Sequence, residues 1–181
     1  MKTKFLTLLL SLSLLFGCKN ENSDSSETDL TKQEQNNLFR VTVEAKVLAD
    51  DFIHLYYTED GSIDFGKNKP ISSKVVGSKD FQYVIFNLPE DVIPNELRFD
   101  FGSNEKQEDI YLKSIKFDYG NKTRLLSGME IGSFFRADGS NCLFEINTGK
   151  ISSIKKDGKR QMPLLYPHEV ALKNEIEKMI K

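Results

Sequence analysis

The sequence is poor in the side chains that most often carry out chemistry: among 181 residues it has two histidines, two cysteines and no tryptophan. His54 and His168 lie far apart, and the chain has no HExxH, CxxC or EF-hand spacing and no glycine pattern for nucleotides. A structural role is therefore expected for both histidines, and no cofactor is expected. Cys142, with Cys18 far away in the chain, is expected to be a small buried apolar residue.

An excess of positive charge and a long apolar run are also missing. The chain has 25 basic and 27 acidic residues and a net charge of -2 at pH 7. This mild acidity argues against a nucleic-acid partner, because such proteins present a basic surface. The apolar run from Phe5 to Phe16 is too short to span a bilayer as a helix, which needs about 20 residues.

The first residues instead form a secretory signal. Lys2 and Lys4 precede the apolar run, and a small residue precedes a cysteine at its end. The segment Leu15-Phe16-Gly17-Cys18 resembles the lipobox of bacterial lipoproteins. An ordinary signal peptide followed by an unrelated cysteine is the alternative. The resemblance implies that residues 1–17 are removed and that Cys18 carries lipid.

The residues after Cys18 are expected to tether the protein to a membrane. Residues 18–37 contain Leu30 as the only aliphatic side chain, so they cannot bury enough apolar surface to offset the entropy of ordering. Lys19 in place of aspartate resembles the outer-membrane sorting of Gram-negative lipoproteins. The acidic residues of the tether are compatible with export to the cell surface and equally with simple solvation. We therefore expect an outer-membrane, lipid-anchored protein of the cell envelope.

From residue 38 onward, the pattern indicates an all-β domain. Residues 39 to 47 alternate apolar and polar side chains, and turn signals recur along residues 38–165, which favours a β-sandwich over alternating strands and helices. Apolar residues at helical spacing in residues 166–181 predict one C-terminal amphipathic helix. The fold class expected is an all-β, jelly-roll-like sandwich with this helix.

The stretch from Glu96 to Tyr119 predicts two strands at the centre of the sandwich. In the second of them the buried parity changes near Lys113 and Ser114, which predicts a β-bulge. Phe81 to Leu88 is apolar on both faces, which favours a central strand. Ile131 to Arg136 and Cys142 to Ile146 flank turn residues, which predicts a hairpin.

Three of these segments carry a resemblance. The successive runs Phe81 to Leu88, Leu97 to Gly102 and Ile110 to Phe117 resemble the core strands of galactose-binding-like jelly rolls, a fold shared by several carbohydrate-binding modules. The resemblance implies a jelly roll and the possibility of glycan binding. It carries over no individual residue of a sugar site, because the similar residues are those that determine the fold.

A sugar site needs aromatic rings for stacking and planar polar groups for the hydroxyls. Phe134, Phe135 and Arg136 are adjacent, and neighbours on a strand face opposite ways, so one ring must point away from the core. The candidate ligand-binding residues are Tyr56, Tyr57, Phe134, Phe135, Arg136, Asp138 and Asn141. Acidic turn residues raise a second possibility, a Ca²⁺ ion, because Ca²⁺ binds oxygen ligands at flexible spacing. The residues concerned are Glu59, Asp60 and Asp64, which can also be simple turn formers.

No motif for an enzyme is present, since GxSxG is absent and no acid lies in a sequence setting that indicates a raised pKa. The sequence favours a non-catalytic binding domain for a glycan or another envelope component. A structural or assembly lipoprotein that binds protein partners, through a sheet edge or the C-terminal helix, is the alternative. An envelope glycoside hydrolase is the third reading, and whether the protein is an enzyme stays open.

Overall fold

The structure is a computed structural model that describes residues 38–181. The expected signal peptide, the lipidated Cys18 and the tether to residue 37 lie outside the described residues. Among residues 38–181, no helix is long and apolar enough to cross a membrane.

Short antiparallel strands make up about half of residues 38–181, with two helices after the seventh strand. The strands are Leu38–Lys46 (β1), Asp51–Thr58 (β2), Ile71–Val75 (β3), Gln82–Glu90 (β4), Glu96–Asp100 (β5), Ile110–Tyr119 (β6), Lys122–Ser127 (β7), Phe135–Ala137 (β8), Cys142–Glu145 (β9), Lys150–Ser153 (β10), Lys155–Lys156 (β11), Lys159–Arg160 (β12) and Leu164–Pro167 (β13). A 3₁₀ turn, Gly128–Glu130, leads into the short helix Ile131–Phe134 (α1), and Glu169–Ile180 forms α2.

Two sheets enclose the core. Sheet A runs in the order β4-β1-β6-β10-β9, with β7 also paired to β6, and sheet B runs β3-β2-β5-β13-β8. The strands β11 and β12 form a separate two-stranded ribbon. The predicted fold class, an all-β jelly-roll-like sandwich with one C-terminal helix, is confirmed.

The core consists of the inward-facing residues of both sheets. Phe99 of β5 lies at its centre, with its ring centroid 5.3 Å from that of Phe135 and 6.4 Å from that of Phe86. All three side chains are buried. Cys142 is also fully buried, as the sequence predicts. Such aromatic pairs add directional packing energy to the area that they remove from water.

The predicted β-bulge is confirmed. Glu44 of β1 lies opposite Ser114, and the next residue, Ala45, lies opposite Leu112, so the register skips Lys113. Leu112 and Ile115 are both buried despite their different parity, because the extra residue reverses the facing of every later side chain. The predicted strands Glu96–Asp100 and Ile110–Tyr119 both form, in sheet B and sheet A respectively.

Two topological predictions are wrong. The β4 strand is an edge strand of sheet A and not a central one, since in that sheet it pairs with β1 alone. Residues 131 to 146 do not form a hairpin, because α1 replaces the first half of the expected strand and β8 pairs with β13 while β9 pairs with β10. The turn between β8 and β9 therefore carries the chain from sheet B to sheet A.

The C-terminal helix α2 is amphipathic, with Leu172 and Ile176 buried. The helix begins at Glu169. Tyr166 and Pro167, which the sequence places in the helical segment, belong to β13. The helix contacts β5, β7 and α1. Arg124 of β7 donates hydrogen bonds to Glu175 of this helix and to Glu130, which links the helix to sheet A.

Candidate functional site

An open groove crosses the outer face of sheet A, where alternate residues of four strands point away from the core. Its volume is about 570 Å³. The strands β1, β4, β6 and β7 each contribute side chains of the outward parity, so the groove is built on hydrogen-bonded backbone. The lining residues are Arg40, Thr42, Glu44, Tyr83, Ile85, Lys113, Ser114, Lys116, Leu125 and Ser127.

The groove exposes more apolar surface than an outer sheet face usually carries. The side chains of Tyr83, Ile85 and Leu125 are 69%, 51% and 49% exposed. The side chains of Thr42 on β1 and Ser114 on β6 also belong to this face, and both are buried. An exposed apolar patch rimmed by polar residues is typical of a binding surface.

Charged side chains form the rim, and several of them are held by neighbours. Lys113 Nζ lies 2.7 Å from Glu44 Oε1, and the Ser114 hydroxyl donates to Glu44 Oε2 at 3.1 Å. The hydrogen bond from Lys113 to Glu44 raises the pKa of the Lys113 ammonium. Arg40 Nε donates to Asn87 Oδ1 at 3.0 Å. These contacts hold the polar groups at set positions around the apolar floor.

The same face continues past the groove toward two further rings. Lys46 Nζ lies 4.2 Å from the ring centroid of Tyr111 and 5.8 Å from that of Phe81. Lys113 Nζ lies 5.4 Å from the Phe81 centroid. Phe81 is 44% exposed, so a half-exposed ring stands beside two ammonium groups. Such contacts with aromatic faces stabilise a cation by about 0.5–1 kcal/mol at an exposed site.

The outer face of sheet B is organised differently, around a covered ion pair. Arg98 donates two hydrogen bonds to Asp100, Nε to Oδ1 at 2.8 Å and Nη2 to Oδ2 at 2.9 Å. The guanidinium carbon lies 4.2 Å from the ring centroid of Tyr56, 5.3 Å from that of Phe65 and 5.4 Å from that of Tyr166. Burial raises the pKa of the Asp100 carboxyl, although the bonds from Arg98 act in the opposite direction. These rings cover the ion pair, which makes this cluster part of the scaffold.

The seven candidate ligand-binding residues do not form one site. Tyr57 and Phe135 belong to the buried core, and Phe134 is half-buried against it. Tyr57 on β2 and Phe135 at the start of β8 point inward. In each strand the neighbouring residue, Tyr56 or Arg136, faces outward.

The remaining candidates lie on and beside the outer face of sheet B. Tyr56 stacks on Arg98, and the exposed Arg136 has its guanidinium carbon 5.7 Å from the Tyr166 ring centroid. Asp138 and Asn141 lie in the turn between β8 and β9, where Asp138 Oδ1 accepts a hydrogen bond from the Ser140 amide at 2.9 Å. That bond stabilises the turn.

The acidic residues Asp60 and Asp64 of the turn after β2 accept hydrogen bonds from other residues of the same turn. Asp60 Oδ1 accepts a hydrogen bond from the Ser62 amide, and Asp60 Oδ2 accepts one from Lys67 Nζ at 3.1 Å. Asp64 Oδ1 accepts from the Gly66 amide at 3.3 Å. Among residues 38–181, no three histidine, cysteine or acidic side chains come together in a group that could hold a metal ion. Calcium at Glu59, Asp60 and Asp64 stays a prediction.

None of the residues that line the groove is among the seven candidate ligand-binding residues. The signal that could have found them is the strand Phe81 to Leu88, in which one parity carries Val84, Phe86 and Leu88 and the other carries Phe81, Tyr83 and Ile85. The first set is buried and the second is exposed. An apolar set on both faces can mean a doubly buried strand or an exposed apolar surface, and only the exposure of Phe81, Tyr83 and Ile85 in the folded domain distinguishes the two.

Comparison of the chain with protein-family models, with curated proteins and with solved structures gives no match.

Proposed function

We propose that this protein is a lipid-anchored lipoprotein of the outer membrane whose sandwich domain binds a glycan, without catalysis, in the groove of sheet A. The observation that carries the proposal is the half-exposed apolar floor of Tyr83, Ile85 and Leu125 on an otherwise ordinary sheet.

The chemistry of the groove suits a carbohydrate. One face of a pyranose ring presents C–H groups that pack on an aromatic ring such as Tyr83, while the hydroxyls at its edge need donors and acceptors. Glu44, Arg40 and Asn87 supply both kinds of group at the rim. Because these side chains project from paired strands, the entropy lost in ordering them on binding is small.

The N-terminal sequence supports the location. A lipid on Cys18 would hold the protein on a membrane, because each buried methylene group contributes roughly 0.8 kcal/mol. A protein held in this way would present its groove to glycans of the envelope.

A protein partner is the second candidate function, and the edge position of β4 favours it. This strand has nine residues, Gln82–Glu90, and within sheet A it pairs on one side only. An exposed strand edge can accept an added strand from another protein. Recovery of such a partner by crosslinking, together with no binding on a glycan array, would replace the glycan proposal.

The first test is the replacement of Tyr83 by alanine. Stacking on an aromatic ring contributes about 0.5–1.5 kcal/mol, so we expect the dissociation constant for a glycan identified on an array to rise about two- to tenfold. Isothermal titration calorimetry measures the change. Phe52→Ala is the matched control, because Phe52 is a half-exposed ring on the other sheet. An equal loss of affinity in both variants would contradict the groove as the binding site.

The anchor is tested separately at Cys18. We expect radiolabelled fatty acid to enter the native protein and not Cys18→Ala, because only the thiol can accept the lipid. The native protein should also sediment with membranes, and the variant should stay in the soluble fraction after export. Cys142→Ala is the control, since Cys142 is buried in the domain. Equal labelling of native protein and Cys18→Ala would refute the anchor.

A further inference from the structure

From the charges around the groove, we infer that its ligand is an acidic glycan, a chain that carries carboxylate or sulfate groups. This inference rests on the proposed function of the same groove, and it adds the class of ligand. The charged residues on and beside the groove are not balanced, although the whole chain has a net charge of -2.

The imbalance is visible in the side chains that share the outer face of β1 and β6. Its cations are Arg40, Lys46, Lys113 and Lys116. Two carboxylates stand among them, Glu44 bonded to Lys113 and Asp118 bonded to Lys116 at 2.8 Å. Burial acts to raise the pKa of the Asp118 carboxyl, but the hydrogen bonds from Lys116 and Thr123, together with the charges of Lys116 and Arg40, lower it below its ordinary value.

Arg40 is suited to bind an anionic group at one end of the groove. A guanidinium has five N–H donors, and the Nε donor of Arg40 is directed to the neutral Asn87 amide. The Asp118 carboxylate stands opposite Arg40 on β6, where its contacts are with Thr123 and Lys116. The side chain is exposed. Because the Nε bond orients the plane of the guanidinium, the terminal amino groups are presented as a fork, the geometry that pairs with a carboxylate or a sulfate.

Lys46 is the corresponding cation at the other end. Its ammonium group lies over the Tyr111 and Phe81 rings. A ring face attracts a cation less strongly than a buried carboxylate does, so an anionic ligand can recruit this ammonium at little cost. The adjacent Phe81 ring offers a stacking surface for the sugar that carries the anionic group.

The spacing between the two cations points to a chain of sugars. Arg40 and Lys46 lie six residues apart on β1 and share its outward parity, so their backbones are separated by roughly 20 Å along the strand. Tyr83, Ile85 and the Glu44–Lys113 pair lie on neighbouring strands between these ends. An oligosaccharide with repeated acidic units can therefore contact both cations while its neutral parts cross the apolar floor.

The experiment compares oligosaccharides of equal length that are neutral, uronate-containing or sulfated, by calorimetric titration of the full domain at low and high ionic strength. We expect the acidic chains to bind at least tenfold more tightly than the neutral one at low salt, and the difference to shrink as salt rises. Binding of only the uronate or only the sulfated chain would assign the anionic group, and either result supports the inference.

The variants Arg40→Gln and Lys46→Gln identify the residues. Each should weaken binding of the acidic chain about tenfold, because a charged hydrogen bond contributes more than a neutral one. The neutral chain should lose less affinity than the acidic one, because glutamine can still hydrogen-bond a sugar hydroxyl but carries no charge. Lys74→Gln is the control, since Lys74 is exposed on the other sheet. Thermal unfolding confirms that each variant is folded.

The failure of the inference differs from that of the proposed function. Equal affinity for neutral and acidic chains, or an equal effect of Arg40→Gln on both, would overturn the acidic ligand and leave glycan binding in place. Absence of binding to every chain would overturn both.

Discussion

Replacement of Arg98 by alanine should destabilise the domain by about 3–5 kcal/mol, because it removes one partner of a buried ion pair and leaves the other charge without compensation. The Asp100 side chain is 2% exposed and the Arg98 side chain 17% exposed. The rings of Tyr56, Phe65 and Tyr166 surround the guanidinium. The variant also loses these cation–ring contacts.

The penalty should depend on pH in a defined direction. Burial already raises the pKa of Asp100 in the folded protein, and Arg98 opposes that rise. Without Arg98 the pKa of the folded state rises further, whereas the carboxyl in the unfolded chain keeps its ordinary value. The folded variant then binds more protons than the unfolded one, so its stability falls as the pH rises above the unfolded value. Urea unfolding of the variant should give a smaller loss at pH 4 than at pH 7.

Two further variants test the origin of this effect. Arg136→Ala is the matched control, because Arg136 is an exposed arginine over the same Tyr166 ring, and it should change the free energy of unfolding by less than about 0.5 kcal/mol. The double variant Arg98→Ala, Asp100→Asn should recover part of the loss at pH 7, because no buried charge remains. A loss for Arg98→Ala that is the same at both pH values, with no recovery in the double variant, would mean that packing alone is responsible.

Replacement of Glu96 by glutamine should stabilise the domain above neutral pH. Glu96 opens β5 and is 1% exposed, and its Oε2 atom has no hydrogen-bond partner among residues 38–181. Burial is the main cause that raises the pKa of this carboxyl to about 7, the charge of Glu169 adds to it, and Lys173 opposes it. Glu169 and Lys173 belong to the first turns of α2, so the Glu96 carboxyl lies next to the start of that helix.

The sign of the effect follows from the two protonation states. The pKa rises from 4.5 in the unfolded chain to about 7 in the folded one. Below 4.5 both states are protonated and Glu96 costs nothing. Between these values the stability of the native protein falls as the pH rises, and above 7 the loss is complete. Since one pKa unit corresponds to about 1.4 kcal/mol, the full loss is at most about 3.5 kcal/mol.

Glutamine has the shape of the protonated acid and no charge, so Glu96→Gln should be as stable as the native protein near pH 4.5 and more stable at pH 8 by about 2–3 kcal/mol. Urea unfolding at the two pH values measures the difference. Glu169→Gln removes the repelling charge and should move the fall in stability to lower pH. A gain from Glu96→Gln that is equal at both pH values would rule out titration of Glu96 as its cause.

The sequence does not predict that the Arg98–Asp100 ion pair and Glu96 are buried. Arg98 and Asp100 occupy the polar parity of β5, and Glu96 precedes them on the same parity, so the pattern indicates a solvated face. The structure covers that face with Phe65 from the loop after β2, with Tyr166 of β13 and with the start of α2. These residues are distant in sequence, and no local pattern records that they meet.

The candidate site shows the same limit. Tyr56 and Arg136 were expected in one site, and they do lie around a common cluster, because β2, β5, β13 and β8 are successive strands of sheet B. Tyr57 and Phe135 were expected there as well, but each faces the core. The groove itself lies on sheet A, where β1, β4, β6 and β7 bring together Arg40, Tyr83, Lys113 and Leu125 from separate parts of the chain.

The sequence by itself determined the features that depend on neighbouring residues. Alternation predicted the strands, the parity change predicted the bulge at Lys113, and helical spacing predicted α2, because each is set by which side chains of one segment need burial. The tertiary structure alone decided that β4 is an edge, that the chain crosses between sheets after β8, and which polar faces are covered. Those choices depend on pairing between distant strands, and the groove on sheet A exists because β4 leaves one of its apolar faces in water.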